Sequence, residues 1–80
     1  MTQATLFESE RREMIEEAGV CALCGDPVQA DHNAHIDHCH ETKVIRGVLC
    51  KLCNNGLGFF RDDVELLKKA IVYLEAQQRP

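Results

Sequence analysis

The chain has 80 residues, which suits one domain with a thin hydrophobic core. It has no tryptophan, one tyrosine and three phenylalanines, so we expect a stabilising cross-link in addition to core packing. The formal net charge of −4 argues against a general polyanion binder, because nonspecific nucleic-acid affinity comes mostly from lysine and arginine. No apolar run approaches the roughly 18 residues of a membrane span, and the N-terminus is not a signal peptide. We therefore expect a cytoplasmic protein with reduced thiols and no membrane association.

The first predicted element is a helix. The sequence Thr5-Leu6-Phe7-Glu8 matches a capping box, and the helix should run from there to about Glu17, with Gly19 as its stop. The sequence CALCGDP, residues 21–27, then predicts a tight turn, because glycine, aspartate and proline all favour turns.

Two short strands are predicted next. They are AHIDHCH, residues 34–40, and KVIRGVLC, residues 43–50, which flank the polar turn ETK. The sequence CKLCNNGLGFF, residues 50–60, predicts a turn that enters a short helix.

A second capping box, Asp62-Asp63-Val64-Glu65, precedes a longer helix that should reach about Gln77. Its apolar residues recur with helical spacing at Leu67, Ala70, Ile71 and Leu74. We expect this face to cover the core, with dimerisation or a partner protein as the alternative. The predicted fold class is α+β, in one domain over residues 1–80. It comprises an N-terminal helix in residues 1–20, a core in 21–60 and a C-terminal helix in 61–80.

Four of the five cysteines form two closely spaced pairs. Cys21-x2-Cys24 is followed after 25 residues by Cys50-x2-Cys53, which is typical of a four-cysteine zinc site. Such a site can supply roughly 10 kcal/mol or more of folding free energy. A thioredoxin-type dithiol is the alternative, although it needs one pair in a βαβ setting. The fifth residue, Cys39, is either a small packing side chain or a ligand or redox group.

The sequence HIDHCH, residues 35–40, lies inside the loop that zinc would close, and Asn54 follows the last cysteine. Asp37 and Asn54 offer the hard oxygen ligands that Mg²⁺ or Mn²⁺ prefers, and His38 could take a proton from water. These groups suit one-metal hydrolysis of a phosphodiester. Asp37 and His38 point to opposite faces of a regular strand, so a shared site requires a bend or bulge.

Two simpler interpretations of this stretch stay open. The first is a second zinc site, and the second is a polar hairpin surface without a role. Both concern the same four side chains: His35, Asp37, His38 and His40.

The segments CALCG, HIDHCHET and RGVLCKLCNNGLGFFRDD occur in an order that resembles the recombination endonuclease VII family. Its members are nucleases of the His-Me finger (HNH-like, ββα-metal) group. The resemblance implies a zinc-braced ββα finger with flanking helices, structural Zn²⁺ on the four paired cysteines, and catalytic Mg²⁺ or Mn²⁺ on Asp37 and Asn54. It implies that His38 is the general base, that His40 orients the phosphate and that His35 supports the site. Arg46 would touch the DNA backbone or be an exposed strand residue.

The sequence departs from the family in two respects. Cys39 stands where members often carry aspartate, and larger members have a long C-terminal region for intertwined dimerisation and branched-DNA recognition. We therefore predict a small Mg²⁺-dependent DNA endonuclease, and the resemblance implies that it leaves 5′-phosphate and 3′-hydroxyl ends. If phage-encoded, it would work in the host cytoplasm. A phage packaging or replication protein is a possible partner, and a homodimer is a possible oligomeric state. The alternative is a noncatalytic zinc module that binds nucleic acid or a protein, and a redox sensor using Cys39 is a third hypothesis.

Overall fold

The computed structural model describes residues 7–77 and contains three helices and one two-stranded antiparallel sheet. In chain order the elements are α1 (Glu8–Ala18), β1 (Ala34–His38), β2 (Ile45–Cys50), α2 (Lys51–Phe59) and α3 (Val64–Gln77). This order confirms the predicted α+β class. The two strands and α2 follow each other directly, and α2 packs against both strands.

Helix α1 begins later than the predicted capping box. Phe7 is its extended N-cap residue and donates its backbone N–H to the Glu10 carboxylate at 3.1 Å. The predicted cap residue Thr5 lies outside the described residues. The predicted stop is confirmed, because Gly19 has a φ of 72° and donates its N–H to the Ile15 carbonyl at 2.9 Å. A positive φ is accessible to glycine without steric cost.

The hairpin is shorter than its sequence suggested, because its turn takes residues from both predicted strands. Cys39 donates its N–H to the Val44 carbonyl at 2.9 Å, and Lys43 donates to the Cys39 carbonyl at 2.8 Å. The register is regular from Ala34, opposite Cys50, to Asp37, opposite Gly47. His38 then lies opposite residue 45, so residue 46 is an extra residue in β2. This is a β-bulge.

The core is small and almost entirely aliphatic. Its buried residues come from α1, the cysteine turn and the sheet: Ile15, Cys21, Val28, Ala34, Val48, Leu49 and Cys50. Two of these seven are cysteines of the predicted zinc site, so core and cluster are continuous. The exposed Phe7 and Phe59 contribute little to the core. The prediction of a thin core is confirmed for the described residues, and its dependence on a bound metal stays a prediction.

Helix α3 does not cover this core, so that prediction was wrong. No Cα atom of α3 lies within 8 Å of a Cα atom in the other helices or strands. Residues 71–76, including Ile71 and Leu74, are all exposed. The helix extends away from the sheet and gives the molecule a longest dimension of 49 Å. Within the described chain, neither this helix nor any other is both long and apolar enough to cross a bilayer.

Arg11 should matter more for stability than its neighbour Arg12. Its guanidinium donates to the carbonyls of Ala34 at 3.0 Å and Ala30 at 3.3 Å, which ties α1 to the sheet. We expect Arg11→Met to lower the free energy of unfolding of the zinc-loaded protein by about 1–3 kcal/mol, since hydrogen bonds from charged groups to half-buried carbonyls are lost. Urea denaturation measures this change.

The matched control for this prediction is Arg12→Met. Arg12 forms a bidentate ion pair with Asp31, at 2.8 and 3.0 Å, but both side chains are exposed and solvent screens the pair, so its loss should lower stability less than loss of the Arg11 contacts. Equal shifts of the urea midpoint in the two variants would show that the carbonyl contacts do not fasten α1.

Candidate functional site

The four paired cysteines converge on one point. Cys21 and Cys24 lie in the turn after α1, Cys50 ends β2, and Cys53 is in the first turn of α2. Their sulfur atoms all lie within 4.8 Å of one another, and the Sγ atoms of Cys24 and Cys50 are 3.8 Å apart. A tetrahedral zinc ion with Zn–S bonds of about 2.3 Å separates its sulfurs by about 3.8 Å. The cluster therefore fits a zinc ion.

Backbone N–H groups surround the sulfurs of this cluster. Leu23 and Cys24 donate to the Cys21 sulfur at 3.4 and 3.5 Å, and Cys53 donates to the Cys50 sulfur at 3.4 Å. Burial opposes ionisation of Cys21, but backbone hydrogen bonds, led by that of Cys24, outweigh it and lower its pKa to about 6. Burial and the neighbouring sulfurs instead raise the pKa of Cys53 to about 12. The turn is thus prepared to hold a thiolate, the form that binds metal.

A cavity of about 470 Å³ is lined by residues of β1, the turn after it, α2 and the segment between α2 and α3. All five residues predicted for hydrolytic chemistry line it: His35, Asp37, His38, His40 and Asn54. Strand β1 and the turn after it supply the first four, and α2 supplies the amide. Asn54 comes directly after the cluster residue Cys53, so the cluster and the cavity share the start of α2.

The hairpin is irregular at the place where the sequence required a bend or bulge. The register shift falls between Asp37 and His38, and both residues line the same cavity. The extra residue is Arg46 on the opposite strand. A bulge bends a sheet locally, so this irregularity is compatible with a site that neighbouring residues of β1 share.

Ion pairs join this cavity to the junction between α2 and α3. Arg46 donates to both oxygens of Asp37, from Nε at 2.7 Å and from Nη2 at 2.9 Å. Its Nη2 also donates to Asp62 Oδ2 at 3.3 Å, and His40 Nε2 lies 3.5 Å from the same oxygen. The hydrogen bond to Asp37 is the largest cause of a raised pKa at Arg46. Arg46 thus neutralises the carboxylate predicted to hold a metal.

Asp62 was not predicted as a site residue, because the sequence pattern assigned it to a helix cap. The cap is instead Asp63, whose Oδ1 accepts from the N–H groups of Glu65 at 2.9 Å and Leu66 at 3.2 Å. Asp62 has a φ of 54° and faces the cavity. The sequence held one signal for a further role of Asp62. It has two consecutive aspartates, Asp62 and Asp63, and a helix N-cap needs only one of them.

Cys39 and His32 lie apart from the predicted site. Cys39 is absent from the cysteine cluster and from the cavity lining, and hydrogen bonds from Thr42 lower its pKa. His32 lines a separate cavity beside α1. Across residues 7–77, the four cysteines form the one group of histidine, cysteine or acidic side chains close enough to share a metal, so the histidines do not form a second zinc cluster.

The oxygen donors of the cavity fit Mg²⁺ or Mn²⁺ better than zinc. They are a carboxylate at Asp37, whose side chain is 12% exposed, and an amide at Asn54. Both ions prefer hard oxygen ligands and retain several waters. The donor set is therefore suitable, provided that the guanidinium of Arg46 yields its place on Asp37.

The fold and the cluster define a small α+β protein with a zinc-type cysteine centre beside a ββα unit. The recombination endonuclease VII family profile matches residues 2–76, and the chain belongs to this family.

Two relatives are phage proteins, each known as Gene 59 protein, one from Mycobacterium phage L5 and one from Mycobacterium phage D29. Each is 39% identical to the chain over 59 residues, which cover 72% of the chain and 36% of the relative. The match thus spans about a third of the length of these relatives. No solved structure shows a significant match to the chain.

Proposed function

We propose that this protein is a Mg²⁺- or Mn²⁺-dependent DNA endonuclease of the His-Me finger type. The observation that carries the proposal is that Asp37, His38 and Asn54 line one cavity in a member of a nuclease family. Membership of the family supports a nucleic-acid substrate. The zinc-type cluster would act as a scaffold, because it ties the turn after α1, which holds Cys21 and Cys24, to the junction of β2 and α2, where Asn54 follows Cys53.

The roles of the residues follow from their chemistry and position. Asp37 and Asn54 would hold the divalent cation. When bound, the cation offsets the charge that develops on the phosphate and on the leaving 3′ oxygen. His38 would remove a proton from the attacking water, and a positioned base of this kind contributes typically 10²–10⁴-fold. His40, whose side chain is 74% exposed at the rim, would contact the phosphate, and His35 would support the cavity wall.

The products of a plasmid reaction test this proposal. Zinc-loaded protein should nick or linearise supercoiled plasmid with Mg²⁺ or Mn²⁺ and should leave it intact when neither ion is added. DNA ligase alone should reseal the nicks, because hydrolysis with a 3′-oxygen leaving group yields a 5′-phosphate and a 3′-hydroxyl. A zinc-only reaction controls for the structural ion. No cleavage with either ion, or nicks that ligase cannot seal, would contradict the proposal.

A noncatalytic zinc module is the second candidate. The observation that favours it is the bidentate Arg46 contact, which satisfies the Asp37 carboxylate without a metal. The net charge of −4 also suits a protein partner better than bare DNA. The plasmid assay separates the two candidates, because this module needs only the four cysteines.

A further inference from the structure

We propose that Asp62 is a positioning residue that receives the Arg46 guanidinium when a divalent cation takes its place on Asp37. This inference rests on the proposed function, since it requires Asp37 to be a metal ligand.

The first step is the conflict at Asp37. Both of its carboxylate oxygens accept from Arg46, at 2.7 and 2.9 Å, in the bidentate geometry that makes arginine–carboxylate pairs strong. A divalent cation on the same carboxylate would lie within a few ångströms of the guanidinium. Two like charges at such a distance repel each other, so a cation on Asp37 weakens the bidentate arginine contact.

The second step is the alternative position for the guanidinium. Arg46 Nη2 already contacts Asp62 Oδ2 at 3.3 Å, so a small rotation of the arginine side chain converts the weaker contact into the principal one. Asp62 is free for this role because Asp63 caps α3. Its carboxylate is partly sheltered, with 21% of the side chain exposed. A cation therefore need not expel the arginine into water.

The third step is the backbone at the junction of α2 and α3. Arg61 and Asp62 both have positive φ, at 59° and 54°, a region that non-glycine residues rarely adopt. Their N–H groups donate to the carbonyls of Gly58 and Leu57, each at 2.9 Å, which fixes this conformation. The result is a carboxylate held toward the cavity rather than toward solvent. His40 Nε2, 3.5 Å from the same oxygen, shares it.

The exchange also changes the charge that a phosphate would meet. Without a divalent cation, two carboxylates against one guanidinium leave the group with one net negative charge. Addition of a divalent cation converts this to one net positive charge while Arg46 stays paired with Asp62. The site would thus attract the DNA backbone only after it is loaded.

The test is a titration of Mn²⁺ without DNA, in which the electron paramagnetic resonance signal of free Mn²⁺ gives the dissociation constant. Arg46→Gln should tighten binding roughly tenfold, because a competing positive charge is removed. Asp62→Asn should weaken Mn²⁺ binding several-fold, because the Arg46 guanidinium then has only the Asp37 carboxylate as an ion-pair partner. In the double variant the effect of Asp62→Asn should vanish, since no arginine remains to be held.

The double variant separates positioning from direct ligation. If Asp62→Asn weakens Mn²⁺ binding equally with and without Arg46, then Asp62 acts on the ion directly, by ligation or by its own charge, and the inference is overturned. Unchanged binding in Arg46→Gln, or in Asp62→Asn alone, overturns it as well. Arg12→Gln is the matched control, because Arg12 forms an ion pair with Asp31 outside this cavity and should leave the affinity unchanged.

Two further measurements keep the outcomes interpretable. Zinc content and circular dichroism establish that each variant is folded, and Arg46→Lys replaces Arg46→Gln if the latter does not fold. Lysine keeps the positive charge but lacks the planar guanidinium that pairs with both carboxylate oxygens. The Mn²⁺ affinity of Arg46→Lys should therefore lie between those of the wild type and Arg46→Gln. Asp37→Asn separates this inference from the proposed function. If Asp37→Asn loses Mn²⁺ binding while Arg46→Gln binds Mn²⁺ like the wild type, the inference is overturned and the proposed function stands. If Asp37→Asn binds Mn²⁺ like the wild type, the inference and the proposed function are both overturned.

Discussion

Removal of zinc is expected to unfold the protein rather than only to inactivate it. Structural zinc sites supply roughly 10 kcal/mol or more of folding free energy, whereas small domains have little stability to spare. Within residues 7–77 the core contains five buried aliphatic residues besides Cys21 and Cys50, and those two cysteines are themselves part of the cluster. Loss of the ion therefore removes the closure of the chain and exposes the centre of the core. Far-ultraviolet circular dichroism during titration with a chelator measures the loss of helix.

Substitution of single cysteines gives the same test without a chelator. Cys53→Ser should bind zinc weakly and lack a cooperative thermal transition. Cys39→Ser should retain one zinc ion per chain and a normal transition, because Cys39 lies outside the cluster. A chelated protein that keeps its helical signal and melts cooperatively would show that the core suffices on its own. Loss of function in Cys39→Ser with normal zinc content would instead support a redox role for that thiol.

The second large effect is expected from His38→Ala, which should lower the rate of plasmid cleavage by about 10²–10⁴-fold. The physical reason is the loss of the group that accepts a proton from the attacking water. Single-turnover cleavage rates at saturating Mg²⁺ measure this effect.

His32→Ala is the matched control for this substitution. His32 lines the separate cavity beside α1, so its loss should leave the cleavage rate near the wild-type value. Zinc content shows whether each variant is folded. Equal rates for His38→Ala and wild type, or equal losses in both histidine variants, would exclude His38 as the base.

The local features of the fold could be predicted because each depends on nearby residues. Gly19 ends α1 through a positive φ that glycine adopts readily, and the two C-x2-C pairs specify a cluster by their spacing. The meeting of Asp37 with Asn54 at one cavity was predictable from the same cysteines. A closed cluster leaves little freedom between the hairpin and the residue after Cys53.

Features that depend on tertiary contacts could not be predicted in the same way. An amphipathic pattern in α3 shows that one face is apolar, but it does not show which surface covers that face, and no other helix or strand does so in the described chain. Asp62 and Asp63 are equally suited to an N-cap by sequence, and backbone conformation decides between them. The pairing of Arg46 with Asp37 arises from the bulge, whose position the residue pattern does not specify.

A crystal structure with zinc and manganese, located by anomalous scattering at the two absorption edges, tests the central claim most directly. The claim is that the four cysteines hold zinc and thereby position Asp37, His38 and Asn54 around a separate divalent cation. We expect a zinc peak among the four sulfurs and a manganese peak in the cavity, bound by Asp37 and Asn54 with His38 nearby. Zinc on the sulfurs with no manganese at these side chains would contradict the nuclease mechanism.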